Sequence, residues 1–302
     1  MKILILSRRR SLFSTRRFVE TARRMGHRPM VVDPLNCFLV CGPRNPSVYH
    51  KNSKKRLDDV DVVLPRIGAS ITEYGLAVVN HFEMLGIPVI NGAQSIAQSR
   101  DKLRSLQLLA RSGIDIPKTV MARAPAQIDR ALQEVGGPPV VLKLVQGTQG
   151  IGVMLAETQS ALEAILDTLW GLGQNILIQE FIPESRGRDI RALVVGGRVV
   201  ASMRRIARVG EFRSNIHRGA EGRLARLPEH YEKVAVEAAR VTGLLVSGVD
   251  MLESRAGPKV IEINSSPGFE GLEAATRLDI ARIILEFAVE HASRGSRAHV
   301  RP

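Results

Sequence analysis

Aromatic residues and cysteine are scarce in this chain. Phe, Trp and Tyr together make up 4% of the 302 residues, and there are two cysteines. Stacking of bases on aromatic side chains is therefore poorly supported, and direct nucleic-acid binding is not expected. Cys37 and Cys41 supply neither a disulfide framework nor a set of zinc ligands. We expect two reduced, partly buried thiols.

Long apolar runs are also absent. No stretch approaches the 18 or more apolar residues that a membrane span requires. The N-terminal run Lys2–Leu6 is too short for the apolar region of a signal peptide and lacks a cleavage pattern, so it indicates a first buried strand. We therefore expect no membrane interaction and a cytoplasmic location.

Acidic residues are outnumbered by basic ones, and the imbalance is concentrated. The chain has 43 Lys and Arg against 30 Asp and Glu, a net charge of +13. Residues 1–60 hold 14 of the basic residues and 4 of the acidic ones, and residues 186–218 hold nine arginines against two acids. Such clusters either form solvated faces or attract an anionic partner. With so few aromatics, a phosphate or carboxylate partner suits them better than RNA.

The first 92 residues alternate short apolar runs with segments of helical periodicity, which predicts a parallel sheet flanked by helices. No G-x-G-x-x-G motif follows the first run, so a Rossmann-type dinucleotide site is not expected. The predicted strands are Lys2–Leu6, Arg28–Val32, Val60–Pro65 and Pro88–Ile90, and the predicted helices are Thr15–Met25 and Glu73–Leu85.

The rest of the chain continues this mixture of helix and strand. The pattern predicts a long helix over 95–111, alternating strands and helices over 118–180, and a hairpin over 189–206. Further helices are expected at 229–242 and 279–291. The segment from Ser293 onward has no periodicity and is expected to be a mobile tail.

Two segments rich in β-branched residues carry the strongest functional signal. Val249–Leu252 and Val260–Asn264 are predicted strands. Side chains alternate between the faces of a strand, so Glu262 and Asn264 share one face, and Asp250 joins them if the strands pair. Two carboxylates and an amide oxygen suit Mg²⁺ or Mn²⁺. The alternative, a solvated face with unrelated acids, does not explain why a polar pair ends an apolar strand.

A lysine on an apolar strand precedes a glycine-rich loop. Lys143 lies within the run 140–145, and Gly147, Gly150 and Gly152 follow it. Such a loop offers backbone N–H groups that can close over phosphates, although a plain hairpin turn has a similar composition. It is not a P-loop, because no Gly-Lys-Ser/Thr sequence ends it. The preceding lysine strengthens the phosphate interpretation.

Three further segments are consistent with a nucleotide site. Gln179–Pro183 ends a strand, where backbone groups can bind an adenine edge while Phe181 and Ile182 enclose the ring; ordinary core packing is the alternative. Asp189 could accept hydrogen bonds from ribose hydroxyls. The loop 213–219 contains two arginines that could clamp phosphate or lie on the surface.

Taken in chain order, these features resemble the ATP-grasp pattern and, more narrowly, the RimK-type α-L-glutamate ligases. Enzymes of that family add glutamates to the C-terminal tail of a small-subunit ribosomal protein. The resemblance runs from the first strand to about residue 292. Its motifs are Pro65–Gly68, Ser99–Lys102, Lys143 with Gly147–Gly152, Phe212–Gly219, and Glu262–Gly271. The excess of N-terminal arginines and the basic tail have no match in the family pattern.

The resemblance implies an α/β (α+β) architecture, an ATP-grasp fold with an N-terminal parallel-sheet pre-ATP-grasp domain at residues 1–94. The ATP-grasp domain would occupy residues 95–292. Within it, a small lid-bearing subdomain would span about 118–182 and a C-terminal subdomain about 183–292. Residues 293–302 would form a basic flexible tail.

The resemblance also implies roles for individual residues. Arg213 and Asn215 would act in catalysis. The ligands of two Mg²⁺ or Mn²⁺ ions would be Asp250, Glu262 and Asn264. The residues that bind ATP would be Lys102, Lys143, Gly147, Gly150, Gly152, Glu180, Phe181, Ile182, Asp189, Arg213, Ser214 and Asn215.

In the implied reaction, a carboxylate attacks the γ-phosphate of ATP, which gives an acylphosphate and ADP. The amine of L-glutamate then displaces phosphate and forms an amide. The implied partners are L-glutamate and an acidic protein or peptide C-terminus, with a small-subunit ribosomal protein as the expected acceptor. The arginines of residues 186–218, Arg204 and Arg205 among them, are expected to be exposed and to attract that acidic tail.

Two other functions remain open. Another ATP-grasp carboxylate–amine ligase, such as a carrier-protein ligase of lysine biosynthesis or a small dipeptide ligase, would share the fold. A basic acceptor channel favours the glutamate ligase, because an oligoglutamate tail is strongly anionic. A non-catalytic ribosome-binding or nucleic-acid-binding module would have lost metal ligands, yet all three are present. The sequence leaves the oligomeric state open, a homo-oligomer included.

Overall fold

The computed structural model describes residues 1–145, 152–214, 216 and 219–298, with side chains through residue 294. Its N-terminal unit is built on a parallel sheet in the order β2-β1-β5, beside a separate two-stranded ribbon of β3 and β4. The elements of this unit are β1 (Lys2–Leu6), α1 (Phe13–Arg24), β2 (Arg28–Val32), β3 (Cys37–Val40), β4 (Ser47–His50), β5 (Val62–Pro65) and α2 (Thr72–Met84).

Both faces of the parallel sheet are buried at β1 and β5, which explains the apolar runs of these two strands. Ile3 and Ile5 point to one face and pack with Phe18 of α1, while Leu4 and Leu6 point to the other and pack with residues of α2. The parallel pairing predicted from the sequence is confirmed. Two details differ from the prediction. The ribbon was not foreseen, and the strand expected at Pro88–Ile90 is a single bridge to β5.

The single helix predicted over residues 95–111 is two helices, α3 (Ala93–Arg100) and α4 (Lys102–Arg111). The backbone is extended at Asp101, and its carboxylate accepts a hydrogen bond from the Arg104 N–H at 2.9 Å. This N-cap satisfies a backbone donor that α4 would otherwise leave unpaired. The one-helix prediction was therefore wrong at Asp101, and the break makes Lys102 the first residue of α4.

A four-stranded antiparallel sheet follows, in the order β6-β9-β7-β8. Its inner face packs against α5 and α6. The elements are β6 (Thr119–Ala122), α5 (Ile128–Val135), β7 (Val140–Leu144), β8 (Val153–Ala156), α6 (Gln159–Gly171) and β9 (Ile176–Glu180).

The last part of the chain forms a five-stranded antiparallel sheet in the order β12-β11-β10-β13-β14. The predicted hairpin over 189–206 is confirmed as β10 and β11, whereas β12 and α8 were not foreseen. The final helix continues to Ala298, so part of the expected tail is helical. The elements are β10 (Arg188–Val195), β11 (Arg198–Ile206), β12 (Glu221–Leu224), α7 (Glu229–Val241), β13 (Val246–Ser254), β14 (Gly257–Asn264), α8 (Glu270–Thr276) and α9 (Ile280–Ala298).

Asn91 joins the N-terminal unit to the five-stranded sheet. Its side-chain N–H groups donate to the carbonyls of Val246 at 2.7 Å and Ser265 at 2.8 Å. Its Oδ1 accepts from the N–H groups of Leu245 at 2.7 Å and Val246 at 2.9 Å. Because the side chain is buried, these four backbone groups have no access to water as an alternative partner. The amide therefore fixes the unit against the start of β13, the strand that contains the acidic residue Asp250.

We expect Asn91→Ala to lower the free energy of unfolding by about 3 kcal/mol, because it leaves buried backbone donors and acceptors unsatisfied. The exposed Asn80 of α2 provides the matched control, and Asn80→Ala should change stability little. Thermal and urea unfolding measure both variants. Equal stability of the two variants would contradict the assigned role of Asn91.

Candidate active site

The predicted acidic face forms where β13 pairs with β14. Asp250 lies directly opposite Glu262, and Asn264 lies opposite Gly248 one step further along the same face. The strand pairing expected from the sequence is thus confirmed. The Asn264 side-chain amide donates to Asp250 Oδ2 at 3.5 Å. A β-bulge directly after Asp250 shifts the register there, a device that is common beside functional sites.

Two arginines from neighbouring strands bind the acidic residues of this face. Arg191 of β10 donates to both carboxylate oxygens of Asp250, at 2.7 and 2.6 Å. Arg205 of β11 donates to both oxygens of Asp189, at 2.6 and 2.5 Å, and also lies 3.0 Å from Asp250 Oδ2. Asp189, Arg205 and Asp250 are all buried. We call these four residues the arginine–aspartate network.

The network controls the charge of Asp250. Burial alone would raise the pKa of this carboxyl, but Arg191 and Arg205 outweigh it and hold the pKa below its ordinary value. Burial and the Asp250 charge instead raise the pKa of Glu262. Two facing carboxyls thus differ in their tendency to ionise. A divalent cation between them would favour the ionised form of both.

The expected exposure of Arg205 was wrong. Its side chain is 2% exposed, and it lies inside the sheet face rather than on the surface. Arg204, the next residue, points the other way and pairs with Glu253 in a partly exposed contact. Adjacent residues of a strand point to opposite faces, so strand alternation predicts that Arg204 and Arg205 lie on different faces. Arg205 lies on the face of Asp189, because these two residues are register partners in the hairpin. The same alternation places Arg191 on the face of Asp189, two residues away on β10, and this position was not predicted.

Two lysines face the acidic residues from other elements. Lys143 of β7 has no carboxylate within ion-pair distance among the residues described here, and burial lowers its pKa to about 8 while Glu262 opposes that shift. Lys102 donates to the carbonyls of Leu144 at 2.8 Å and Val145 at 3.2 Å. Burial lowers the pKa of Lys102 as well, again against the attraction of Glu262.

The lysines and carboxylates line one cavity between the two antiparallel sheets. Its charged lining residues include Lys102, Lys143, Asp189, Asp250 and Glu262, together with Arg186, Arg188, Arg205 and Arg213. Its other walls are largely apolar and include the segment after β9, where Ile182 is buried and the Arg186 guanidinium lies 6.0 Å from the Phe181 ring centre. The remaining wall residues include Leu106, Val141, Leu177, Glu180, Phe181, Leu252 and Ile261. A ligand with a flat apolar part and an anionic part matches these surroundings.

The loop after β11 closes one side of the cavity. Arg213 and Ser214 both line it. The Arg213 guanidinium donates two hydrogen bonds to the Glu211 carboxylate, at 2.9 and 2.8 Å. It also donates to the carbonyl of Val153, the first residue of β8, at 3.3 Å. The Arg213 side chain holds the pKa of Glu211 down at about 2.

Other predicted site residues fall in different places. Gly152 has a positive φ of 75° and its carbonyl accepts from Leu144 N–H at 2.8 Å, so it closes the base of the predicted loop. Gly147, Gly150 and Asn215 lie outside the described residues, and their predicted roles stay predictions. Asp189 reaches the cavity, but both of its oxygens already accept from Arg205, so ribose would have to share the carboxylate.

The donor set fits a magnesium ion. Asp250 Oδ2 is contacted by Arg191, Arg205 and the Asn264 amide, whereas Oδ1 accepts from Arg191 alone, which leaves a lone pair of Oδ1 for a cation. Glu262 has no ion pair among the described side chains, and Asn264 adds an amide oxygen. Among the described residues, no three His, Cys, Asp or Glu side chains come together as a metal-binding group. The predicted set needs only two carboxylates, with the amide as third ligand.

We expect Arg205→Met to lower the free energy of unfolding by about 3 to 5 kcal/mol, because it leaves two buried carboxylates undercompensated. Arg204→Met is the matched control, since its contact with Glu253 is partly exposed and contributes at most about 1 kcal/mol. Urea unfolding distinguishes the two. Similar losses in both variants would show that the network is not a structural element.

Comparison with known proteins agrees with this geometry. Residues 99–288 match the model of the RimK-like ATP-grasp domain, and residues 1–96 match the RimK PreATP-grasp domain. A probable alpha-L-glutamate ligase 2 from Pseudoalteromonas atlantica is 52% identical over 292 residues, which cover 97% of this chain and 96% of that protein. A probable alpha-L-glutamate ligase from Halorhodospira halophila is 51% identical over 98% of this chain and 97% of its own length.

Solved structures share the fold at lower identity. The ATP-grasp ligase PsnB complexed with a minimal precursor superposes with a TM-score of 0.77 at 21% identity, over 96% of this chain and 98% of that one. A RimK domain ATP-grasp protein from Sphaerobacter thermophilus gives 0.71 at 24% identity, over 96% of this chain and 100% of that one. No described helix is long and apolar enough to cross a membrane. The chain belongs to the RimK family of ATP-grasp α-L-glutamate ligases and is an ATP-dependent carboxylate–amine ligase.

Proposed function

We propose that the protein uses ATP to join L-glutamate to the C-terminal carboxylate of an acidic protein or peptide. The observation that carries this proposal is the cavity in which Lys102 and Lys143 face Asp250 and Glu262. Lysines there can hold phosphate oxygens, and the carboxylates can hold the magnesium that ATP-grasp ligases use. The names of the relatives support L-glutamate as the amine.

The cavity gives each part of ATP a distinct environment. Its apolar walls suit adenine, and the backbone after β9 would supply hydrogen-bonding groups to the edge of the ring. Lys143 and Lys102 would bind the phosphates, and the donors of Arg213 and the glycine loop would complete the enclosure. Asp250, Glu262 and Asn264 would hold one or two Mg²⁺ or Mn²⁺ ions, which would neutralise phosphate charge and align the γ-phosphate.

The reaction then needs positioning more than a nucleophilic side chain. A carboxylate oxygen of the acceptor attacks the γ-phosphorus, ADP leaves, and the acceptor becomes an acylphosphate. The unprotonated amine of glutamate attacks the acyl carbon and loses one proton to solvent or phosphate, and inorganic phosphate departs with the former carboxylate oxygen. Lys143, with its pKa lowered to about 8 by burial, retains its charge at neutral pH and can stabilise the transferring phosphoryl group.

Two properties of the acceptor belong to this proposal, its chemical form and its source. Several fold neighbours are complexes with precursor peptides, which supports an extended peptide acceptor rather than a free amino acid. The family resemblance supports a small-subunit ribosomal protein in the cytoplasm as its source. A different carboxylate–amine ligase of the same fold would accept the same nucleotide but another amine or acceptor.

Mass spectrometry of a reaction mixture tests the function. Purified protein is given ATP, Mg²⁺, an acidic acceptor peptide and one amino acid at a time. L-Glutamate should be the only amino acid that extends the peptide, and the extension should occur in glutamyl increments. Glu262→Gln should give no extension, and Glu237→Gln, a partly exposed position on α7, should behave as wild type. Extension by another amino acid, with glutamate inert, would contradict the proposed substrate.

Lys143 predicts a pH dependence of nucleotide binding. The protonated lysine attracts phosphate, and the free protein loses that proton as the pH rises through about 8. The dissociation constant for ATP should therefore be flat at lower pH and rise by up to about tenfold per pH unit above that value.

Two variants make this pH dependence specific to Lys143. Lys143→Arg keeps its charge and should bind with a flat profile, whereas Lys233→Met, an exposed control on α7, should keep the wild-type profile. Calorimetric titration with ATP between about pH 7 and 9.5 measures all three proteins. An unchanged rise in Lys143→Arg would assign the titration to another group.

A further inference from the structure

Arg66 and Arg100 are packed against protein without a carboxylate partner. Arg66 follows β5, and Arg100 is the last residue of α3. Within the described structure neither lies in ion-pair distance of an acid, and none of the remaining residues is Asp or Glu. By contrast, Arg17, Arg191 and Arg205 all pair with carboxylates. Desolvated guanidinium groups without an anion are unusual, because burial of an uncompensated charge is costly.

Among the described residues, their hydrogen-bond acceptors are all neutral oxygens, and Arg66 also packs on an aromatic ring. Arg66 donates to Ser14 Oγ at 3.2 Å and to the carbonyl of Pro267 at 2.8 Å, and its guanidinium lies 5.7 Å from the Phe18 ring centre. Arg100 donates to the carbonyl of Ile67 and, at 3.3 Å, to Thr72 Oγ1. The buried Nε–H of Arg100 has no hydrogen-bond acceptor among the residues that the structure describes.

These surroundings oppose the positive charges. Burial lowers the pKa of Arg66 to about 10, and the neighbouring charge of Arg100 acts in the same direction. Burial also lowers the pKa of Arg100. Both side chains are nevertheless partly exposed, so a ligand can reach them. An incoming anion would relieve the mutual repulsion and supply the missing acceptors.

The pair lies at the edge of the active site. The Arg66 N–H donates to the Leu6 carbonyl at 2.7 Å, which places it at the carboxyl ends of the parallel strands, where ligands of such sheets bind. Ser266 Oγ donates to the Pro65 carbonyl at 3.3 Å. Pro267, which Arg66 contacts, follows Asn264 by three residues, so at most about 11 Å of extended chain separates them.

We propose that Arg66 and Arg100 form a carboxylate subsite that holds a non-reacting carboxylate of the substrate beside the Asp250–Glu262 face. This inference rests on the proposed function, because it assumes an acidic substrate. The carboxylate can belong to the acceptor tail or to the incoming L-glutamate. Both present the same group to a guanidinium fork, so kinetic measurements must separate them.

Steady-state kinetics of Arg66→Lys, Arg66→Met and Arg100→Lys test the subsite. We expect the KM for one carboxylate substrate to rise by roughly ten- to a hundredfold, with the KM for ATP unchanged, because a charge-assisted contact is lost. A rise for the acceptor peptide assigns the subsite to the tail, and a rise for L-glutamate assigns it to the amine substrate. Unchanged values for both, with only a loss of thermal stability, overturn the proposal.

A binding measurement separates this inference from the ligase function. Glutarate, a dicarboxylate without an amine, should raise the thermal unfolding temperature of the wild type at constant ionic strength. Arg66→Lys and Arg66→Met should lose that increase, and Arg240→Met, an exposed control on α7, should retain it. If the wild type forms no amide yet shows this pattern, the proposed function fails and the subsite stands. If glutarate still raises the unfolding temperature of both Arg66 variants, the subsite proposal is overturned.

Discussion

The rest of the active site depends on the arginine–aspartate network. Asp189, Arg191, Arg205 and Asp250 occupy one face of three adjacent strands, and each charge is bound by at least one opposite charge. Buried charges are tolerated only when they are paired and hydrogen bonded, so the network fixes the register of β10, β11 and β13 together. That register in turn presents Asp250 beside Glu262. The network also means that Asp250 has a structural role as well as its predicted metal role, whereas Glu262 is free of ion pairs among the described residues.

The positive groups near the cavity fall into two kinds. Arg191 and Arg205 are satisfied by carboxylates and stabilise the sheet. Lys143, Arg66 and Arg100 are desolvated without such partners in the described structure, and burial lowers the pKa of each. The folded protein gains little from these three charges, because none has a carboxylate within ion-pair distance among the described residues and the more distant Glu262 only partly offsets the burial of Lys143. An anionic substrate would supply the missing negative charge, and this division between paired and unpaired cations outlines a path from the proposed phosphate-binding lysine to the edge of the N-terminal sheet.

Local sequence patterns predicted the fold well where one physical rule dominates. The strands β1, β2, β7 and β9 follow from short apolar runs between breaker residues, and the pairing of Asp250 with Glu262 follows from strand alternation. The break at Asp101 was missed because helical periodicity continues across it while the capping side chain interrupts the backbone. Arg205 was misplaced because its partner Asp189 is sixteen residues away, and net charge alone does not show which arginines face a buried acid.

The proposed reaction begins when ATP activates a carboxylate by phosphorylation. Labelling the acceptor carboxylate with oxygen-18 tests it most directly, because only direct attack of that carboxylate on the γ-phosphorus transfers one of its oxygens to phosphate. With the wild-type protein, ATP, Mg²⁺ and L-glutamate, mass spectrometry of the released phosphate should show one labelled oxygen for each amide formed. Amide formation with unlabelled phosphate would contradict the acylphosphate route and, with it, the assignment of the Lys143 and Glu262 cavity as the site of phosphoryl transfer.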